Sequence, residues 1–236
     1  SLQPDTPFPG FPVMIRLASL SSLLVIVALL AGCKGPSAAI PESTAPTPAI
    51  GVPASESSSP QLMKALPTQE ARIWARLRQG KGYVILLRHA LAPGTGDPAN
   101  FRLGDCSTQR NLSSAGRRQA SQIGEVVRQQ KIVVAQVLSS QWCRCLETAS
   151  LLQLGPVKPF PVLNSFFQDR STEAAQTEQL RRFILANRNN PGVTIMVTHQ
   201  VNITAISNIV PPAGSAVVMR PDASDQIELV GQLSSF

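Results

Sequence analysis

The chain has 236 residues, 43% of them hydrophobic and 15% charged, with 20 prolines, 4 cysteines and a formal net charge of +7. That is too apolar and too weakly charged for an intrinsically disordered protein, and a chain of this size buries roughly 70% of its unfolded surface with no need of a metal or disulfide framework. Lys and Arg outnumber Asp and Glu by 21 to 14, but no run of five basic residues occurs, and the scattered arginines suit a small anionic ligand at least as well as nucleic acid, which is not an expected partner.

Residues 1–13 precede Met14, contain nothing like the basic start of a targeting segment, and read as an upstream or cloning remnant. From Leu17 to Ala31 the sequence is almost wholly apolar, follows Arg16, and is interrupted by Ser19, Ser21 and Ser22. A membrane-spanning helix needs about 20 apolar residues, so this shorter stretch reads as the core of a signal peptide over 14–32. Its end, Leu30-Ala31-Gly32-Cys33, resembles the bacterial lipobox, where cleavage precedes a cysteine whose thiol receives a diacylglycerol. The resemblance makes Cys33 a lipidation site and the membrane a partner; the competing reading is an internal hydrophobic helix ending at Gly32. Pro36, Pro41, Pro46, Pro48, Pro53 and Pro60, mixed with Ser, Ala and Thr, then keep 33–67 extended as a tether. Lys34 stands where an aspartate is the usual inner-membrane retention signal, which favours the outer membrane of a bacterial envelope, facing the periplasm.

Residues 68–236 form the expected folded domain. Thr68 caps a helix to about Gln79 with Ile73, Trp74 and Leu77 inward, and Gly80 ends it. Tyr83 to Leu87 is a continuous apolar run of strand length that ends in Arg88-His89, as in a strand buried on both faces. A polar loop with Gly94, Gly96 and Pro98 follows. Ser113 or Ser114 starts a helix to about Gln130, Ile132 to Leu138 is the second strand, and Gln141 to Gln153 the next helix. A short strand near Val157 to Val162, a helix from about Ser171 to Asn189, a strand Val193 to Val197 and a helix Val201 to Ile209 continue the alternation. Two short strands near Ala216 to Met219 and Gln226 to Val230 end it. The expected class is α/β, a three-layer α/β/α sandwich with a mostly parallel sheet, whose ligands bind beyond the carboxyl ends of the strands.

The chain has only two histidines, and each ends a predicted buried strand: His89 after Arg88, and His199 after Thr198. Arg144 leaves the second strand through Ser139-Ser140-Gln141-Trp142-Cys143 and reaches the same sheet edge. Two arginines and two histidines then converge on one pocket suited to a phosphoryl group, whose oxygens guanidinium forks bind in pairs. Arg88-His89-Ala90, the run from Ser139 to Ala149 with Arg144-Cys145-Leu146-Glu147-Thr148-Ala149, and Val197-Thr198-His199 resemble the histidine phosphatase superfamily, the phosphoglycerate-mutase-like fold. Asn111-Leu112-Ser113-Ser114-Ala115-Gly116 matches that family's first helix start, and the resemblance covers about Gly82 to Met219. Ala90 stands where the family commonly has glycine, and Ala92 where the phytase and acid-phosphatase branch has a second arginine, so the smaller-domain branch fits better.

The resemblance implies that His89 attacks phosphorus and forms a phosphohistidine that water hydrolyses, with Arg88, Arg144 and His199 holding the phosphoryl oxygens and no metal or other cofactor. It also implies a carboxylic acid after the second arginine as proton donor. Asp169 is the expected donor and Glu173 the alternative, although an acidic residue near a helix start is favourable for dipole reasons alone. Gly214-Ser215 replaces the family's frequent Gly-Glu pair, so a contact from that position is in doubt. Apart from Cys33, the cysteines are Cys106, Cys143 and Cys145. One disulfide and one free thiol is the expected arithmetic for an exported chain; Cys106 can pair with Cys143 or Cys145, with Cys143 preferred, and the alternative is three unpaired buried thiols. Arg102 and Arg110 are candidates for substrate contact beyond the phosphate, and Phe166 and Phe167 for the pocket mouth. The reading is a lipid-anchored envelope phosphatase acting on a phosphorylated small molecule. The alternatives are a noncatalytic phosphoryl-binding lipoprotein of the same fold and a phosphohistidine-protein phosphatase.

Overall fold

A computed structural model describes residues 66–234 and 236. The expected signal peptide, Cys33 and nearly all of the tether lie outside the described residues. Eleven helices and strands of the described part alternate as the sequence pattern requires: α1 Gln69–Arg78, β1 Lys81–Arg88, α2 Ser114–Gln129, β2 Val134–Ser139, α3 Cys143–Leu151, β3 Val157–Pro159, α4 Glu173–Ala186, β4 Gly192–Thr198, α5 Gln200–Ser207, β5 Ala216–Pro221 and β6 Ile227–Leu233.

The strands form one sheet in the order β3-β2-β4-β1-β5-β6. β1 through β4 run parallel to their neighbours, while β5 pairs antiparallel with both β1 and β6. β1 shows why the sheet is central. Its side chains alternate between two cores, Tyr83, Ile85 and Leu87 packing with α1, α2 and α3, and Val84 and Leu86 with α4 and α5. A strand apolar at every position needs cover on both faces, and the helices divide into two layers to supply it.

Local chemistry sets the element ends. The Thr68 hydroxyl accepts from the Ala71 N–H at 3.2 Å and the Ser113 hydroxyl from the Gly116 N–H at 3.0 Å, each capping its helix. α2 lies against its neighbours so closely that a Cβ at Gly116 would stand 2.1 Å from the Leu91 carbonyl oxygen, and one at Gly124 2.1 Å from that of Leu152. β3 is shorter than expected because Pro161 opens a 3₁₀ turn, Pro161–Leu163. The helix expected from Ser171 to Asn189 carries a 3₁₀ turn at each end, Arg170–Thr172 and Asn187–Asn189. α3 begins two residues late because Ser140 still belongs to the sheet, its N–H donating to the Val197 carbonyl at 2.9 Å.

Candidate active site

The carboxyl ends of β1, β2 and β4 open on one cavity of about 150 Å³, lined by Arg88, His89, Asp97, Arg110, Arg144 and His199 and by more neutral residues at its mouth. His89 and His199 are each 3% exposed, and their rings meet edge to face with centroids 5.5 Å apart. β1 and β4 are adjacent and in register, Arg88 opposite Thr198, so the residue after each strand lands at the same depth. The His89 N–H donates to the Thr198 carbonyl at 2.9 Å and extends that pairing by one step.

The tautomer of His89 is dictated by its partner. Nδ1 lies 2.8 Å from the Ala90 carbonyl oxygen, which can only accept, so Nδ1 carries the hydrogen and Nε2 keeps a free lone pair. Burial pushes the ring down to about 3, the Ala90 carbonyl opposes this, and the charges of Arg144, Arg110 and Arg88 add to the fall. At neutral pH the ring is therefore uncharged, with the Nε2 lone pair open to the cavity. Thr148 steadies this turn from α3: its hydroxyl accepts from the Ala90 N–H at 3.1 Å and donates to the Arg144 carbonyl at 2.7 Å.

His199 sits between a hydroxyl and a guanidinium. Its Nε2 is 2.8 Å from Ser140 Oγ, and its Nδ1 is 3.4 Å from an Arg144 nitrogen. Burial first, then the neighbouring His89 and arginines, holds it well below the usual histidine range. Arginine cannot accept, so Nδ1 facing it is unprotonated and Nε2–H donates to Ser140; the hydroxyl can also donate, which allows the reverse tautomer when Nδ1 meets an anion.

Arg144 is 3% exposed and forms a two-pronged pair with Asp97, NH1 to Oδ1 at 2.7 Å and NH2 to Oδ2 at 3.1 Å. The Asp97 carboxylate also accepts from the Arg110 N–H and the Trp142 indole N–H, both at 3.1 Å. Burial raises this carboxyl, but the Arg144 and backbone hydrogen bonds outweigh it and the net shift is downward. Arg110 donates from Nε to the Gly96 carbonyl at 2.7 Å and from NH1 to the Ala92 carbonyl, so the loop after β1 is folded around its side chain. Arg88 donates to the Pro211 carbonyl at 2.8 Å. Arg88 and Arg144 each retain a buried Nε–H with no acceptor.

Of the residues singled out in the sequence, Arg88, His89, Arg144 and His199 come together. Asp169 does not: it is exposed, does not line the cavity, and spends a carboxylate oxygen on the Ser171 N–H at 2.9 Å as the cap of a 3₁₀ turn. Glu173 is also outside the lining and pairs with Arg170 at 2.8 Å. Arg110 lines the cavity and Arg102 does not; Phe167 is half exposed at the mouth, whereas Phe166 is buried core. Gly214 contributes through its backbone, its N–H lying 3.2 Å from the carbonyls of both Arg88 and His89. Cys106 and Cys143 form a disulfide and Cys145 is a buried free thiol. Beside that bridge, the Gln109 side chain accepts from the Cys143 N–H at 2.9 Å and supplies the cap that α3 otherwise lacks.

Sequence reasoning missed Asp97 and Ser140. The signal for Asp97 was its place in a Gly-flanked loop directly after β1 and His89, where loops carry function. Ser140 is the second residue of the Ser-Ser pair that begins the motif quoted above.

The histidine phosphatase superfamily (branch 1) model matches residues 84–166. Among solved structures the chain is similar to the protein histidine phosphatase SixA complexed with tungstate, at 16% identity and a TM-score of 0.46, covering 64% of this chain and 96% of that one. It is similar also to the putative phosphohistidine phosphatase SixA from Agrobacterium tumefaciens, at 20% identity and a TM-score of 0.46, covering 65% and 98%. A third is the phosphoserine phosphatase from Entamoeba histolytica in complex with 3-phosphoglyceric acid, at 12% identity and a TM-score of 0.49, covering 65% and 97%. No curated protein matches the chain.

Proposed function

We propose that this chain, which belongs to the histidine phosphatase superfamily, hydrolyses a phosphomonoester through a phosphohistidine on His89. The observation that carries the reading is a buried, uncharged imidazole with a free Nε2, surrounded by three guanidiniums of which two keep an unpartnered N–H. The lone pair of Nε2 attacks phosphorus in line. Arg88, Arg144 and Arg110 neutralise the charge on the equatorial oxygens, and His199, steadied by Ser140, adds a hydrogen bond. Water then attacks the phosphohistidine and restores the imidazole. Noncatalytic binding of a phosphoryl ligand would need the arginines but not a nucleophile held in one tautomer, and the Ala90 carbonyl contact favours catalysis.

The protein acts at the surface of a bacterial outer membrane, facing the periplasm and held by lipid on Cys33. The apolar run ending in Leu30-Ala31-Gly32-Cys33 and the proline-rich stretch behind it support this, and one disulfide in the folded part suits an oxidising compartment. The substrate is a phosphorylated small molecule.

The test is release of phosphate from para-nitrophenyl phosphate by the full chain and by His89→Ala. Loss of at least a thousandfold in kcat is expected, and equal rates would refute the mechanism. Labelled palmitate should enter the wild-type chain in a bacterial host and not Cys33→Ala; incorporation into both would remove the anchor.

A further inference from the structure

We propose that Asp97, in the loop after β1, is the catalytic acid of this site: it pairs with Arg144 in this structure, yields that arginine to the incoming phosphoryl group, and donates a proton to the leaving oxygen. The inference rests on the phosphatase reading above. It departs from the expectation of a donor in the segment after Arg144.

The first argument is position. Asp97 supplies the only carboxylate among the residues lining the cavity, and its side chain is 5% exposed. The two acids favoured by sequence, Asp169 and Glu173, are outside that lining and are engaged with Ser171 and Arg170. A donor must come within hydrogen-bond reach of the leaving oxygen in the bound complex. Asp97 shares the cavity with His89, and Arg144 spans the distance from Asp97 to His199.

The second argument is competition. A phosphoryl group at His89 engages Arg144 through its open Nε–H and through NH2, the nitrogen that also holds Asp97 Oδ2 at 3.1 Å. Two anions on one guanidinium repel each other, and the phosphoryl group is the stronger acceptor, so the carboxylate is the one that turns away. The displaced side chain stays in the cavity, because the backbone around it is fixed independently: Arg110 Nε holds the Gly96 carbonyl at 2.7 Å, and Gln168 Nε2 holds the Asp97 carbonyl at 3.2 Å. Only the side-chain torsions of Asp97 need to turn.

The third argument is protonation. Four N–H donors keep the carboxylate ionised where it stands: two from Arg144, one from the Arg110 backbone and one from the Trp142 indole. Away from them and beside a phosphoryl dianion, the same carboxylate gains a proton, which the substrate brings in as its monoanion. In the first step the Nε2 lone pair of His89 forms the N–P bond, the P–O bond breaks, and the leaving oxygen keeps that electron pair and takes the Asp97 proton. In the second step the Asp97 carboxylate takes a proton from water as the water oxygen bonds to phosphorus. The N–P electrons return to His89, the Asp97 proton passes to the released phosphate, which departs as its monoanion, and the Asp97 carboxylate pairs with Arg144 again.

The experiment compares two leaving groups on the full chain. Para-nitrophenolate leaves as a stable anion and needs no proton, whereas the alkoxide of β-glycerol phosphate does. Asp97→Asn is expected to lower kcat for β-glycerol phosphate by about 10² to 10⁴ while lowering that for para-nitrophenyl phosphate by less than about tenfold. The ratio of the two rates on one sample does not depend on how much of the variant is folded. Asp97→Glu, which restores a carboxyl group, should recover part of the ratio. An equal loss on both substrates overturns the inference, as does a ratio that falls in Asp169→Asn and not in Asp97→Asn. A wild-type chain that hydrolyses neither, or a His89→Ala variant as active as wild type, defeats the phosphatase reading itself.

Discussion

Replacing His89 by asparagine should flatten the acid side of the pH–stability curve by about 2 kcal/mol between pH 7.5 and 5.0. An ordinary histidine titrates near 6.5 and this ring, 3% exposed, is pushed down to about 3 by burial and by Arg144, Arg110 and Arg88. Below pH 6.5 the unfolded chain binds a proton here and the folded chain does not, so acid favours unfolding. The stability is present in full above 6.5 and is lost as pH falls toward 3. At pH 5.0 the loss is about 1.5 units of pH at 1.36 kcal/mol each, or about 2 kcal/mol, and it approaches about 5 kcal/mol near pH 3. The amide of asparagine can still donate to the Ala90 carbonyl, so the local hydrogen bond is kept while the titration is removed. Urea unfolding at the two pH values measures the difference for each protein, and His199, present in both, largely drops out of the comparison. Wild type losing about 2 kcal/mol more than the variant is the expected result. Parallel losses would mean that His89 is not held neutral by the fold, and the argument for an uncharged nucleophile at pH 5 would go with it.

Arg144→Met leaves the Asp97 carboxylate buried without its cation and should cost about 3 to 5 kcal/mol in urea. Adding Asp97→Asn should return part of that cost, and strictly additive losses would show that the two are not coupled. The Cys106–Cys143 bridge joins positions 37 residues apart, so chain entropy predicts about 4 kcal/mol lost in the double serine variant or on reduction of wild type; an unmoved urea midpoint would refute it. Gly124→Ala gains about 1 kcal/mol of helix propensity but forces a Cβ to within 2.1 Å of the Leu152 carbonyl oxygen. The overlap should win and lower stability by about 1 to 3 kcal/mol, and a raised Tm would show that α2 and α3 can separate at no cost.

The alternation of strands and helices was legible where a strand is a continuous apolar run, as β1 is from Tyr83 to Leu87, and where a helix carries its own side-chain cap, as α1 and α2 do. Thr68 and Ser113 announce α1 and α2. The boundaries that shifted are those set by tertiary partners. Ser140 and Gln141 stay out of the helix because Val197 and the Asn164 side chain take their N–H groups, and no window of local sequence contains that information. The two histidines and their arginines were legible for a related reason: residues at the ends of parallel neighbouring strands must meet. Asp97 was not, because it is positioned by a loop. Its backbone position depends on Arg110 reaching back to Ala92 and Gly96, and its charge partner lies 47 residues further along the chain. Asp169 had the spacing expected of an acid donor, but it caps a 3₁₀ turn and is exposed, outside the lining of the cavity.

The charge count of the cavity ties these residues to one class of ligand. Three guanidiniums and one carboxylate line it, and burial lowers both histidines to the neutral form, which leaves two positive charges. Carbonyls of Ala92, Gly96 and Pro211 hydrate Arg110 and Arg88 but bring no charge, and both of these arginines are lowered by burial and by Arg144. Arginine does not relieve such strain by losing a proton. The remaining relief is an anion, and a phosphoryl group can meet the two open Nε–H groups.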